Sequence, residues 1–160
     1  MQLARVMNFT IRSEAFHEGG DIPAEYTCDG ANRSPSLVWS NQPPTAKSFA
    51  LIVHDPDAPA GDWVHWLLYD IPVERTELPE NVPARPIVAG LGTQGTNDFH
   101  RVGWGGPCPP PGPPHHYRFR LIALDAELGL PPKLTRERLL AALRGHVLAE
   151  TELTAKYRRQ

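Results

Sequence analysis

The sequence predicts a mainly β domain, and three observations carry that prediction. Eighteen prolines and thirteen glycines in 160 residues supply many turn-formers and helix breakers. Several segments alternate apolar and polar residues with period two, the pattern of a half-buried strand. Only one segment, near the C-terminus, combines helix periodicity with helix caps.

The totals narrow the function classes. A chain of 160 residues fits one domain, 1–160, with a sizeable core. No internal repeat or composition break divides it. A hydrophobic content of 41% argues against a disordered chain. A formal charge of −2, with no block of like charges, gives no footprint for nucleic acid. No apolar run is long enough to span a bilayer, and Met1 to Phe16 lacks a signal-peptide pattern, so cytoplasm is the default. Cys28 and Cys108 leave a disulfide open, but two buried thiols are the favoured reading.

The elements follow in order. Met7 to Arg12 alternates as a half-buried strand. Phe16 to Gly30 is loop-like, with Gly19, Gly20, Pro23 and Asp29-Gly30. Ser34 to Trp39 reads as a short strand ended by Gln42-Pro43-Pro44. Lys47 to His54 is continuously apolar in its second half and reads as a buried strand. It stops at Asp55-Pro56-Asp57-Ala58-Pro59, where two prolines fix φ and remove backbone donors. Trp63 to Ile71 is the next strand, ended by Pro72. Period two places Trp63, His65, Leu67 and Tyr69 on one face.

Val73 to Gly106 reads as mostly irregular, a length that is usually functional or locally folded. Gly105 to Pro114 cannot be helix or inner strand and reads as a stiff polyproline-type wall. His116 to Leu124 is a strong strand with Tyr117, Phe119 and Leu121 on one face and His115 in line just before it. Leu134 to Arg144 is the helix. Thr135 can cap it, Leu134 and Leu139 can form a hydrophobic staple, and Gly145 can close it. Val147 to Tyr157 alternates again, with Val147, Ala149, Leu153, Ala155 and Tyr157 facing one way.

Four pieces carry chemistry: Asp55 and Asp57 after one strand, His65 within the next, His115 and Tyr117 at the start of a third, and the Gly/Pro wall. Sequential strands tend to be neighbours, so one pocket can hold all four. A carboxylate such as Asp55 beside His65 would favour the imidazolium, and that cation could donate to an anion. Free amides of the glycine-rich stretch could donate too. Asp57 is expected either to meet a cationic group or to hold the turn. His116 points to the face opposite Tyr117 and falls outside the pocket. The alternative is a metal-assisted hydrolase with Asp55, Asp57, His65 and His115 as ligands, although HxH, HExxH and CxxC patterns are absent. No Gly-x-Ser-x-Gly elbow is present.

These motifs resemble the phosphatidylethanolamine-binding proteins, the group that includes the Raf kinase inhibitor protein. The matching pieces are Asp55-Pro56-Asp57-Ala58-Pro59, Trp63-Val64-His65-Trp66, Gly106-Pro107-Cys108-Pro109-Pro110 and His115-His116-Tyr117. Softer matches lie at Ser34-Pro35-Ser36-Leu37, Asn97-Asp98-Phe99 and Gly145 to Glu150. The likeness is closest to short bacterial and archaeal members and covers nearly the whole chain. It implies an antiparallel, β-sandwich-like fold with Greek-key connections, a larger central sheet and one or two peripheral helices. It also implies an anion pocket lined by Asp55, Asp57, His65, Pro110, His115 and Tyr117. Residues and resemblance together lead to the expectation of a small-ligand binding module without catalytic turnover, metal or cofactor. The ligand implied is a small phosphate-bearing group such as phosphoethanolamine. A kinase or protease is the implied protein partner, and a homodimer the implied assembly. Three positions depart from the family pattern: His116 replaces an arginine, Trp104 a tyrosine and His100 a glycine. The stretch before His115 is also one residue short.

Overall fold

The computed structural model describes residues 8–159 and shows two antiparallel sheets and one α-helix. The strands are β1 (Thr10–Arg12), β2 (Leu37–Ser40), β3 (Ser48–Asp55), β4 (Trp63–Pro72), β5 (Glu77–Leu78), β6 (Ile87–Val88), β7 (Gly92–Gln94), β8 (His115–Leu124) and β9 (Val147–Tyr157). Helix α1 spans Arg136–Leu143, and a 3-10 turn covers Ala24–Tyr26. The large sheet has the order β6-β7-β4-β3-β8-β9, and the small sheet β1-β2-β5. The first predicted strand is shortened to β1, and Met7 lies outside the described residues. Within the stretch expected to be irregular, β5, β6 and β7 form three strands of two or three residues each.

Strand β3 explains the architecture. All eight of its residues are buried, so the unbroken apolar run reflects a strand covered on both faces. Phe49, Leu51 and Val53 point into a core shared with Ile11, Leu37, Trp39 and Leu78 of the small sheet. Ala50 and Ile52 point the other way, toward Leu139 and Leu143 of α1 and toward Leu128, Leu130 and Leu134. The molecule is therefore three layers: small sheet, large sheet, then helix with its preceding loop. Thr135 caps the helix as expected, accepting from the Arg138 amide. Leu134 and Leu139 lie in the same core, as the staple requires.

Two irregularities in β4 break the expected period-two pattern. Val53 pairs with Trp66 and His54 with Val64, so His65 is an extra residue opposite no partner. This is a β-bulge, which re-aims side chains and bends the strand. The second lies where Phe49 pairs Ile71 and Leu51 pairs Leu68, with Asp70 at φ +51°. As a result Val64, Leu67 and Tyr69 share the helix-side core, while Trp66, Leu68 and Ile71 face the small sheet. The expected grouping of His65 with Leu67 and Tyr69 is thus corrected. The His65 ring instead packs edge-on against Tyr117, 5.2 Å between centroids, on the small-sheet side.

Polar side chains, half-buried at Asp70 and buried at Gln94, then tie loops to the sheet. Asp70 accepts hydrogen bonds from the amides of Leu128, Gly129 and Leu130. Gln94 is fully buried and fully used: its amide donates to the carbonyls of Pro83 and Arg85, and it accepts from the Trp66 indole. Such satisfied buried groups fix one arrangement, since any alternative leaves them unpaired. The exposed rim of β9 is partly covered, because Gly19 and Ile22 donate to the carbonyls of Thr154 and Lys156.

Cys28 and Cys108 form a disulfide, which corrects the expectation of two thiols. Sequence separation of 80 residues concealed it. The loop after the 3-10 turn and the proline wall meet in space, where the Cys28 amide donates to the Pro107 carbonyl and the Gly106 amide donates to Asn32.

Candidate functional site

The ends of β3, β4 and β8 converge with the proline wall around a cavity of about 280 Å³. Antiparallel register brings the parts together. His54 pairs with Arg118, so the next residue of β3, Asp55, arrives beside the beginning of β8. Asp55 is 3% exposed. Its two carboxylate oxygens are divided: one accepts from the Asp57 amide at 2.8 Å, the other pairs with His115 Nδ1 at 2.7 Å. The turn after β3 is therefore held by the same carboxylate that orients the histidine.

His65 reaches the cavity because of the bulge. Its Nδ1–H donates to the Gly105 carbonyl at 2.5 Å, and the Gly105 amide donates back to the His65 carbonyl at 2.9 Å. This clasp fastens the glycine-rich stretch to β4. Burial pushes the His65 pKa below its ordinary value, against the opposing pull of the Gly105 carbonyl and the Asp55 charge. The expected imidazolium is thus corrected to a neutral ring, because desolvation outweighs an acid that is already engaged by His115. With Nδ1–H committed, Nε2 is left as an acceptor.

Tyr117 is almost fully buried, and desolvation, reinforced by the Asp55 charge, pushes its pKa well up. Its phenol stays protonated and can donate. The apolar walls come from Ala58, Pro59, Ala60, Trp63, Phe99, Cys108, Pro109 and Pro110. Trp63 and Phe99 meet edge-to-face at 5.5 Å, and Phe99 also meets the His65 ring at 5.4 Å. No lysine or arginine is part of the lining.

Of the six residues proposed from sequence, Asp55, His65, Pro110, His115 and Tyr117 line this one cavity. Asp57 does not. Its Oδ2 accepts from both the amide and the ring Nδ1 of His116, at 2.9 and 2.8 Å. The hydrogen bond from the His116 ring lowers the Asp57 pKa. Asp57 thus latches the turn to β8, the second of its two expected roles. His116 lies outside the cavity lining. The metal-ligand alternative finds no support in geometry. Among the described residues no three His, Cys, Asp or Glu side chains group so as to hold a metal ion, since Asp55 and Asp57 are each turned to a different histidine.

Trp63, Phe99 and Ala58-Pro59 lie inside the matching motifs without being expected in the pocket lining, and Ala60 lies in none of those motifs. The available signal was an aromatic residue, Phe99, inside a polar, turn-rich stretch. The departures from the family pattern are also explained locally. His100 adopts φ +63°, the region that favours glycine. Trp104 packs between Trp66 and Phe119, with centroids at 5.6 and 6.1 Å, so the position filled by a tyrosine elsewhere is here part of the aromatic core.

Comparison with known proteins agrees with this fold. The family model for phosphatidylethanolamine-binding protein matches residues 12–158. A UPF0098 protein of Methanothermobacter thermautotrophicus is 48% identical over 149 residues, covering 93% of this chain and 98% of the relative. One from Aquifex aeolicus is 47% identical, covering 92% and 86%. The crystal structure of the phosphatidylethanolamine-binding protein homolog CT736 of Chlamydia trachomatis superposes with a TM-score of 0.87 at 36% identity, covering 95% of this chain and 98% of that one. Escherichia coli YbcL, described as a member of the mammalian PEBP family, gives 0.86 at 36% identity, covering 95% and 99%. By family model, by close relatives and by fold, this chain belongs to the phosphatidylethanolamine-binding protein family.

Proposed function

We propose that the cavity binds a small ligand through a phosphate-like oxyanion and holds it without chemical turnover. One observation carries the reading: a buried Asp55–His115 pair, a neutral His65 and a protonated Tyr117 border one cavity with otherwise apolar walls. With no lysine or arginine in its lining, such a site recognises an oxyanion by hydrogen bonds and by sharing a proton. A phosphate monoester, whose second ionisation lies near pH 6, can present P–OH to His65 Nε2 while accepting from the Tyr117 hydroxyl. His115, held through Nδ1 by Asp55, keeps Nε2 for the ligand. The apolar walls suit the carbon skeleton attached to the phosphate. The one sulfur in the wall, Cys108, is bonded to Cys28 and is no nucleophile. Membership of a family of binding proteins supports the same conclusion.

The test is calorimetric or NMR titration with O-phosphoethanolamine and with a simple alkyl phosphate. The parent shows saturable binding. His65→Ala and Tyr117→Phe each weaken it by about tenfold, the order expected for one hydrogen bond to a charged ligand. A His65→Ala protein that binds phosphoethanolamine as tightly as the parent sinks the reading.

A further inference from the structure

A second cavity of about 270 Å³ adjoins the first, and Phe99 and Cys108 line both. Its remaining lining is Cys28, Asn32, Arg101, Trp104, Gly105 and Gly106. The chemistry differs from that of the first cavity. It holds a guanidinium and a side-chain amide, and no carboxylate. Arg101 forms no ion pair among the described residues. Asn32 uses its oxygen to accept from the Gly106 amide, which leaves its N–H groups as donors. Asp29, the acid of the same loop, is already engaged by Arg159 at 3.3 Å and by the Tyr157 hydroxyl.

The turn that carries Phe99 and Arg101 is rigidly built. Asn97 Oδ1 accepts from the Phe99 and Arg101 amides at 2.9 and 3.2 Å, and its Nδ2 donates to the Gly103 carbonyl at 2.8 Å. Asp98 is locked to β4, with its amide on the Val64 carbonyl and its carboxylate on the Val64 amide. One short turn therefore sets a phenyl ring on the shared wall and a cation just beyond it. Gly105 has no side chain where a Cβ would strike that ring.

The geometry points to a second anion subsite at Arg101, so that the protein takes small molecules with two anionic groups, one on each side of Phe99. This rests on the phosphate reading of the first cavity. The oxyanion held near His65 and His115 is one end. The other end, a phosphate or carboxylate, meets the Arg101 guanidinium, which suits planar oxyanions and is always charged. The linker between them crosses the half-exposed face of Phe99, which is 37% accessible. Joining two weak contacts through a linker of matched length raises affinity without any new surface.

The experiment uses the whole chain and a series of α,ω-alkanediol bisphosphates of increasing spacer length, with alkyl monophosphates as controls at fixed ionic strength. One spacer length binds about tenfold or more tighter than the monophosphate, the order expected for one added charged contact. In Arg101→Ala that gain vanishes, while monophosphate affinity stays within about twofold, since the residue contributes only the second contact. An ω-carboxylate series tells whether the second group must be phosphate. Intact monophosphate binding with no gain at any spacer overturns the second subsite alone, as does a gain that persists in Arg101→Ala. Loss of monophosphate binding in the parent overturns the first cavity's reading and this one with it. Arg101 is exposed and its side chain bonds to nothing described, so an unchanged Tm for the variant completes the control.

Discussion

Replacing Asp55 is the perturbation whose cost the structure best defines. The residue is 3% exposed and accepts two hydrogen bonds through a charged carboxylate, from the Asp57 amide and from His115. Hydrogen bonds to charged groups contribute about 1.5–3 kcal/mol each. Asp55→Ala removes both and leaves a ring N–H and a backbone N–H without their acceptor, a loss of about 3–6 kcal/mol. Unfolding entropy of about 2.1 cal/mol/K per residue gives roughly 0.34 kcal/mol/K for 160 residues. Melting should therefore fall by roughly 9–18 °C. Asp55→Asn keeps one acceptor oxygen, and it should lose about half as much. Thermal denaturation followed by circular dichroism, together with a double-mutant cycle against His115→Ala, measures both the total and the coupling. A Tm for Asp55→Ala within ~2 °C of the parent, or a coupling near zero, refutes the claim that this carboxylate organises the turn and the histidine.

Three further outcomes follow from the same structure. His65 is neutral in the fold with a lowered pKa, so unfolding takes up a proton once pH drops below the free-histidine value near 6.5. Its contribution is complete above that pH and is lost as pH falls toward the folded pKa; urea midpoints at pH 7.5 and 5 should diverge more for the parent than for His65→Gln. Asp57 and Asp62 have lowered pKa values, so a second loss begins as pH falls below the ordinary 3.8. The disulfide spans 80 residues, and the chain-entropy relation gives about 4.5 kcal/mol. The Cys28→Ser/Cys108→Ser double variant should melt lower by on the order of 10 °C, and reducing agent should destabilise the parent but leave the double variant unchanged. Gly106→Ala would drive a methyl into the Tyr26 carbonyl oxygen and Asn32 Oδ1. It should weaken phosphate binding by displacing the wall, whereas Gly112→Ala, where added atoms meet open space, costs only the strain of its φ of +138° and leaves binding intact.

Much of the fold was legible because burial writes itself into local pattern. The apolar run through Leu51-Ile52-Val53 announced a buried strand, and Thr135 announced the helix start. Strands β5 to β7 were not legible, because two or three residues carry too little period to be read. They exist through their pairing with β4 and with β2, and through Gln94. The face assignment failed for a related reason. One unpaired residue at His65 shifts the phase of the side chains after it until the second irregularity near Asp70 shifts it again, and nothing in Trp63-Val64-His65-Trp66 marks which residue is unpaired.

The site divides in the same way. Residue types alone determined that acids, histidines and a stiff proline segment stand at strand ends, since prolines stop ladders and polar groups at a core's rim need partners. Which partner each takes was settled only in three dimensions. Asp55 chose His115 over His65, Asp57 chose His116, and Cys28 chose Cys108. Those choices depend on antiparallel register and on a bulge, which act across some 60 to 80 positions of chain. Hydrogen bonds and disulfides form only within a few ångströms, so strand pairing, not neighbourhood along the chain, decides which of several chemically eligible groups meet.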